Sequence, residues 1–171
     1  MPEERRLIMK SAALQEQVEQ QILADYPSLY RLAFTYVKNP DDAMDVVQES
    51  VYKAILGAPK LRSQQAIKSW LCRIVVNTAL DLMRRRPQQV DMDQLSDVGT
   101  QDTYQDPDVF RALECLEEKE RTVVVLRFFQ DLKLQEIAQV MGEKPNTVKT
   151  ILYRSLKKLK IQLSEGVYQD E

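Results

Sequence analysis

Apolar residues recur along this chain at spacings of three and four, the period of a helix with one buried face. Leu14, Val18, Ile22 and Leu23 form the first stripe, in a polar segment covering 14–24. Tyr26-Pro27 is expected to break that helix, because proline lacks the N–H a helix interior needs. Tyr30, Phe34 and Val37 make the next stripe, with Leu29 and Ala33 beside it. Asn39-Pro40 ends it, since the residue before proline avoids the α region. Asp41 and Asp42 open another helix, where carboxylates suit the positive end of the helix dipole. Its inner positions are Ala43, Val46, Val47, Ser50, Val51, Ala54 and Ile55, and Gly57 and Pro59 stop it. Residues 60–66 read as a loop. From Ile67 to Arg86 the pattern resumes with Trp70, Leu71, Ile74, Val75, Thr78, Ala79, Leu82 and Met83 on one broad face. It ends in Arg84-Arg85-Arg86-Pro87, where cations suit a helix C-terminus.

A second series begins with Val109, Leu113 and Leu116. The acidic run before Val123, Val124, Val125, Leu126, Phe128 and Phe129 starts a helix well, although the β-branched residues alone would suit a strand. Leu134, Ile137, Ala138 and Met141 give a short amphipathic helix, and Gly142-Glu143-Lys144-Pro145 gives a turn. Val148, Ile151, Leu152, Leu156 and Leu159 form the inner face of the last helix. Two helices joined by a short glycine-containing turn make a helix-turn-helix. The outer face of its second helix carries Asn146, Thr147, Lys149, Thr150, Tyr153 and Arg154. Such side chains can meet phosphates, base edges and thymine methyls in a major groove. The plain alternative is a helical hairpin with no nucleic-acid role.

The overall charge of −2 speaks against a nucleic-acid binder, but the charge is sorted along the chain. Residues 1–86 carry net +3, and residues 109–171 carry net +1. Residues 87–108 hold six aspartates and no basic residue, with little periodicity and several Gln, Ser, Thr and Pro. That stretch reads as a flexible acidic linker, kept extended by its own repulsion. From Lys144 to Lys160 there are six basic residues and no acidic one, an electrostatic footprint for phosphate unless it is simply a solvated face.

Composition removes other chemistries. The 171 residues include no His, four Gly and two Cys. That leaves no His base or His metal ligand, no CxxC pair and no glycine-rich phosphate loop. No metal and no cofactor are expected, and no nucleophile motif points to an enzyme. Cys72 and Cys115 read as small buried side chains in a reducing compartment. The opening MPEERRLIMK lacks an apolar core of signal-peptide length, and no apolar run approaches the roughly 18 residues of a membrane span. The expectation is a cytoplasmic protein with no membrane insertion of its own.

The segment YRLAFTYVKNPDDAMDVVQESVYKA, followed by IKSWLCRIVVNTALDLMRRR, resembles region 2 of bacterial sigma factors. The segment LEEKERTVVVLRFFQDLKLQEIAQVMGEKPNTVKTILYRSLKKLK resembles their region 4. With only an acidic linker between them, the chain looks like an extracytoplasmic-function (group IV) member of the sigma-70 family. VKNPDDA, LRFFQDLKLQEIA and NTVKT look closest to stress-response members from Gram-positive bacteria. The resemblance implies an all-α fold of two small helical domains. These are a region 2 bundle over 1–86, the linker over 87–108 and a region 4 helix-turn-helix over 109–171.

It also implies a function: binding core RNA polymerase, recognising −10 and −35 promoter elements, and helping to open DNA at the promoters of a stress-response regulon. Asp45, Gln48 and Glu49 match the family's docking helix, which sits on the clamp helices of the β′ subunit. The β flap is the other polymerase contact implied. Lys60, Leu61, Arg62, Ile67, Arg73 and Asn77 match the loop and helix that take an unstacked −10 base, whose extrusion costs a few kcal/mol. Trp70, spaced with Ile74, suits core packing better than base stacking. Asn146, Thr147, Lys149, Thr150, Tyr153 and Arg154 match the helix that reads the −35 element. A membrane-anchored anti-sigma factor is the further partner implied, and the linker would thread the polymerase channels. Three other readings compete: an operator-binding regulator, an enzyme and a polymerase antagonist. The first leaves residues 26–86 without a task, and promoter-specific transcription with core enzyme separates the last.

Overall fold

In the computed structural model the described residues are 2–61, 66–86 and 107–168. They are helical almost throughout, with no strand among them, and they divide into two units, Met1–Val90 and Asp91–Glu171.

In the first unit, α1 (Pro2–Val37), α2 (Pro40–Gly57) and α3 (Ile67–Arg85) pack on one another pairwise, with a tight turn at Ala58–Lys60. Asn39 is extended before Pro40, and its side-chain oxygen accepts from the Asp42 N–H at 3.1 Å, so the proline rule and a side-chain cap start α2 together. Val18, Ile22, Leu29, Leu32 and Ala33 of α1 and Ala43, Val46, Val47 and Ala54 of α2 are buried where these helices pack.

Two features depart from the sequence pattern. The helix does not break at Tyr26-Pro27, and α1 is continuous through Pro27. Val18, Ile22, Leu29, Ala33 and Tyr36 keep one helical register on both sides of the proline and are all buried. That shared burial outweighs an interior proline, which costs about 3 kcal/mol. Ser28 donates to the Asp25 carbonyl at 2.8 Å beside it. The buried face of α3 is also turned relative to expectation. Cys72 and Val76 are in the core, Trp70 and Ile74 are half-buried, and Met83 is exposed. The Trp70 indole lies against Gly57, where an added Cβ would sit 3.0 Å from Cζ2.

The second unit holds α4 (Pro107–Glu114), α5 (Glu118–Val124), a widened helical turn at Val125–Phe129, α6 (Leu134–Met141) and α7 (Pro145–Tyr168). Pro107 and Asp108, assigned to the linker by composition, start α4; the rest of that stretch, 87–106, lies outside the described residues. The β-branched run is helical, and Val123 to Leu126 are buried. Phe128 and Phe129 turn outward where Gln130 N–H reaches back to the Val125 carbonyl at 3.2 Å, one residue further than an α-helical bond. Cys72 is buried as expected, but Cys115 is exposed, its thiol donating to the Ala112 carbonyl at 2.8 Å.

Candidate polymerase and nucleic-acid interfaces

On α2, burying Ala43, Val46, Val47 and Ser50 forces Asp45, Gln48 and Glu49 to the opposite, exposed side. Glu49 pairs with Lys53 one turn on at 3.3 Å. The same outward stripe continues through Tyr52 and Leu56, both more than 60% exposed. Sequence reasoning missed these two, though their spacing of three and four from Glu49 and Tyr52 could have found them. An acidic and amide patch running into exposed apolar side chains has the make-up of a protein-docking surface.

Near the end of α2, Lys60 is exposed and Leu61 is half-buried, its N–H bonded to the Ala58 carbonyl at 3.1 Å. Arg62 lies outside the described residues. Ile67 does not join this surface: at 4% exposed, its side chain belongs to the core. Arg73 and Asn77 are exposed one helical turn apart on α3, opposite buried Leu71, Val75 and Ala79, so both can face a single strand together.

In the second unit, Gly142 ends α6 in the left-handed conformation (φ 66°), with Glu143 N–H bonded to the Ala138 carbonyl at 3.0 Å. This closes α6 and lets Pro145 start α7 at once, as the helix-turn-helix pattern requires. Val148, Ile151, Leu152 and Ser155 face inward. Asn146, Thr147, Lys149, Thr150, Tyr153 and Arg154 are all exposed on the remaining circumference. Thr150 donates to the Asn146 carbonyl at 3.0 Å, and the Lys149 ammonium lies 5.9 Å over the Tyr153 ring.

Glu120 was legible in the sequence only as one of several acids preceding the basic helix. It is 0% exposed. One carboxylate oxygen accepts from Lys158 at 2.8 Å and from the Glu117 N–H at 3.1 Å, while the other faces Arg154 Nε at 3.4 Å. Burial pushes this carboxyl up, but the Lys158 ammonium, the Glu117 N–H and Arg154 outweigh that push and hold it below the ordinary carboxylate value. Its position was available from spacing, since Glu120 falls four after Leu116 and three before Val123, both buried.

Two family models match the chain in order, sigma-70 region 2 over residues 22–88 and sigma-70 region 4 over residues 108–159. The chain is 48% identical over 140 residues to RNA polymerase sigma factor SigV of Bacillus subtilis, covering 80% of this chain and 84% of that one. It is 26% identical over 157 residues to the extracytoplasmic-function sigma factor SigW of the same organism, covering 80% and 83%. In fold it is similar to the sigma factor RpoE of Bartonella quintana, solved with the anti-sigma factor NepR, with a TM-score of 0.70, 24% identity and coverage of 85% and 96%. It is also similar in fold to CnrH, solved with the cytosolic domain of CnrY, with a TM-score of 0.65, 24% identity and coverage of 94% and 97%. The chain belongs to the sigma-70 family of RNA polymerase sigma factors, in its extracytoplasmic-function class, and carries both promoter-recognition regions. Sigma factors are transcription initiation factors that work with core RNA polymerase on promoter DNA. Among the described residues no helix is long and apolar enough to cross a membrane.

Proposed function

We propose that the three surfaces divide the work of initiation. Asp45, Gln48 and Glu49, extended by Tyr52 and Leu56, dock on the polymerase clamp helices, where acidic and amide groups meet basic partners around an apolar centre. Lys60, Leu61, Arg62, Arg73 and Asn77 take the −10 element as single strand: Arg73 on phosphate, Asn77 on an extruded base. Ile67 contributes by packing the helix that carries them. The outward face of α7 reads the −35 duplex, with Asn146 and Thr147 at its N-terminal end near phosphate and Lys149, Thr150, Tyr153 and Arg154 along the groove. Residues 1–86 and 107–171 act as the two grips and 87–106 as the acidic tether, which threads the positively charged polymerase channels. The protein acts in the cytoplasm, catalyses no reaction of its own, and serves a stress-response regulon under a membrane-anchored anti-sigma factor. RpoE, solved with the anti-sigma factor NepR, and CnrH, solved with the cytosolic domain of CnrY, share this fold, which supports a protein antagonist.

The observation that carries the reading is the exposed polar face of α7, opposite a buried apolar one, in a chain whose other unit presents Arg73 and Asn77 on an open surface. A run-off assay on the promoter upstream of its own gene tests it. Purified chain plus core polymerase should start a discrete transcript that neither makes alone. No transcript, or tight operator binding by the free chain as a dimer, would overturn it in favour of a plain helix-turn-helix regulator.

A further inference from the structure

Glu120 is the most deeply buried charged group among the described residues, yet it makes no use of its charge within its own helix beyond one N–H bond. Its two oxygens reach Arg154 and Lys158, which lie one turn apart on α7. Arg154 is engaged through Nε, while its side chain stays 54% exposed. An arginine held along its Nε edge keeps its two terminal amino groups, donors that can meet guanine O6 and N7. A free arginine samples many rotamers and loses that freedom on binding; one already held loses less and presents a single geometry.

We propose that Glu120 is a positioning residue for promoter discrimination: from the interior of the second unit it fixes the guanidinium of Arg154 for a base edge, and so sets the preference at one −35 base pair without touching DNA. The proposal rests on the reading of α7 as the duplex-reading helix. With two cations around one carboxylate, the local surface stays positive, so Glu120 tunes direction without repelling phosphate. A purely structural Glu120 would weaken binding to every promoter alike; a positioning Glu120 changes one column of the sequence preference.

The test uses holoenzyme assembled from core polymerase and the full chain, with binding measured on the promoter of its own gene and on versions substituted at each −35 base pair. Arg154→Ala should flatten the preference at one base pair by roughly tenfold or more, the range of a bidentate arginine–guanine contact. Glu120→Gln should flatten the same base pair by roughly three- to tenfold, the net worth of an ordinary intramolecular hydrogen bond, with the other positions unchanged. The double variant should discriminate no worse than Arg154→Ala alone. Should Glu120→Gln fail to fold by circular dichroism, Glu120→Asp, a carboxylate drawn back by one methylene, must loosen the same base pair. A uniform loss over all promoters, a change at a different base pair, an unchanged preference, or an effect of the Glu120 variant that persists without Arg154 overturns the positioning role. If Lys149→Ala, Tyr153→Ala and Arg154→Ala all leave promoter choice intact, it is the reading of α7 that falls. If Arg154→Ala alters promoter choice and the Glu120 variants do not, only the positioning role falls.

Discussion

In the first unit, α3 is held by apolar burial along its length: Ile67, Leu71, Cys72, Val75, Val76 and Ala79 all lie in the core. Its outward polar residues Arg73 and Asn77 are exposed, and neither makes an ion pair or side-chain hydrogen bond among the described residues. In the second unit, the described side chains of α7 include fewer buried apolar ones, Val148, Ile151 and Leu152, beside a buried Ser155. It is fastened further by the Glu120 carboxylate under Arg154 and Lys158. The difference fits the tasks we propose for the two surfaces. A base that leaves its stack meets groups that can adjust to it, whereas a duplex presents fixed edges and rewards side chains set in advance. A smaller unit with a smaller core must also find registration elsewhere, and a buried carboxylate supplies it.

The largest expected effect separates the two fastenings. Glu120→Ala removes a fully buried acid that serves two cations and an N–H, and should destabilise the second unit by about 2–3 kcal/mol, less than for a wholly enclosed pair because both cations can return to water. The first unit has its own inter-helix pair, Arg86 on Asp42, which joins the end of α3 to the first turn of α2. Arg86→Ala should cost that unit about 1–2 kcal/mol, since the helix dipole and the apolar packing remain. Trp70 is the sole tryptophan, so its fluorescence reports the first unit alone, while helix signal by circular dichroism reports both. The pH dependence should divide the same way. The Glu120 carboxyl is held below its ordinary value in the folded state, so its contribution is complete at neutral pH and is lost as acid carries the pH down through that lowered value. Acid titration should therefore melt helix before it changes Trp70 emission. Loss of both signals together would break the contrast.

Much of this was legible in the pattern of residues. Helix periodicity marked the stretches that became α2, α3, α6 and α7, and Gly142 before Pro145 marked the turn, because those signals are local. Pro27 misled because its effect was judged locally, while packing on both sides of it decided the outcome. Spacing alone placed Phe128 with the valines; the widened turn that swings it outward depends on a backbone bond no composition announces. Among the site residues, burying one face of α2 and α7 was enough to expose Asp45, Gln48, Glu49 and the α7 set. Ile67 and Glu120 escaped for different reasons. Ile67 was placed by its match to a family loop and Glu120 by the usual surface position of an acid, and the core took both.

A smaller effect should come from the turn that aims α7. Gly142 has φ of 66° and nothing within 4 Å of where a Cβ would stand, so Gly142→Ala meets backbone strain and no clash. It should cost the second unit about 1 kcal/mol, the ordinary penalty of a left-handed Ala. At Gly57 of the first unit the same change would press on the Trp70 indole, a matter of packing. Thermal melts of Gly142→Ala, with Trp70 emission unmoved, would sharpen the picture of one unit limited by backbone and ion pairs and the other by packing.

The smallest effect is expected at an ion pair that looks as good as those of Glu120. Lys119 of α5 meets Glu143 of the turn at 2.9 Å, close to the 2.8 Å of Lys158 on Glu120. Glu143 holds the Lys119 ammonium above its ordinary lysine value, so whatever the pair contributes is present at neutral pH and is lost as the pH rises through that raised value. Yet Lys119 stands in water, where the attraction is screened within a Debye length of about 8 Å at physiological salt and where ordering two long side chains offsets it. Lys119→Ala should leave the melting temperature unchanged within error at 0.15 M salt, a concentration typical of about physiological ionic strength. At low salt any difference should be slight and should fade on adding more. If Lys119→Ala instead matched Glu120→Ala, distance rather than burial would set the worth of these pairs, and the fastening of α7 would belong to the surface of the second unit rather than to its interior.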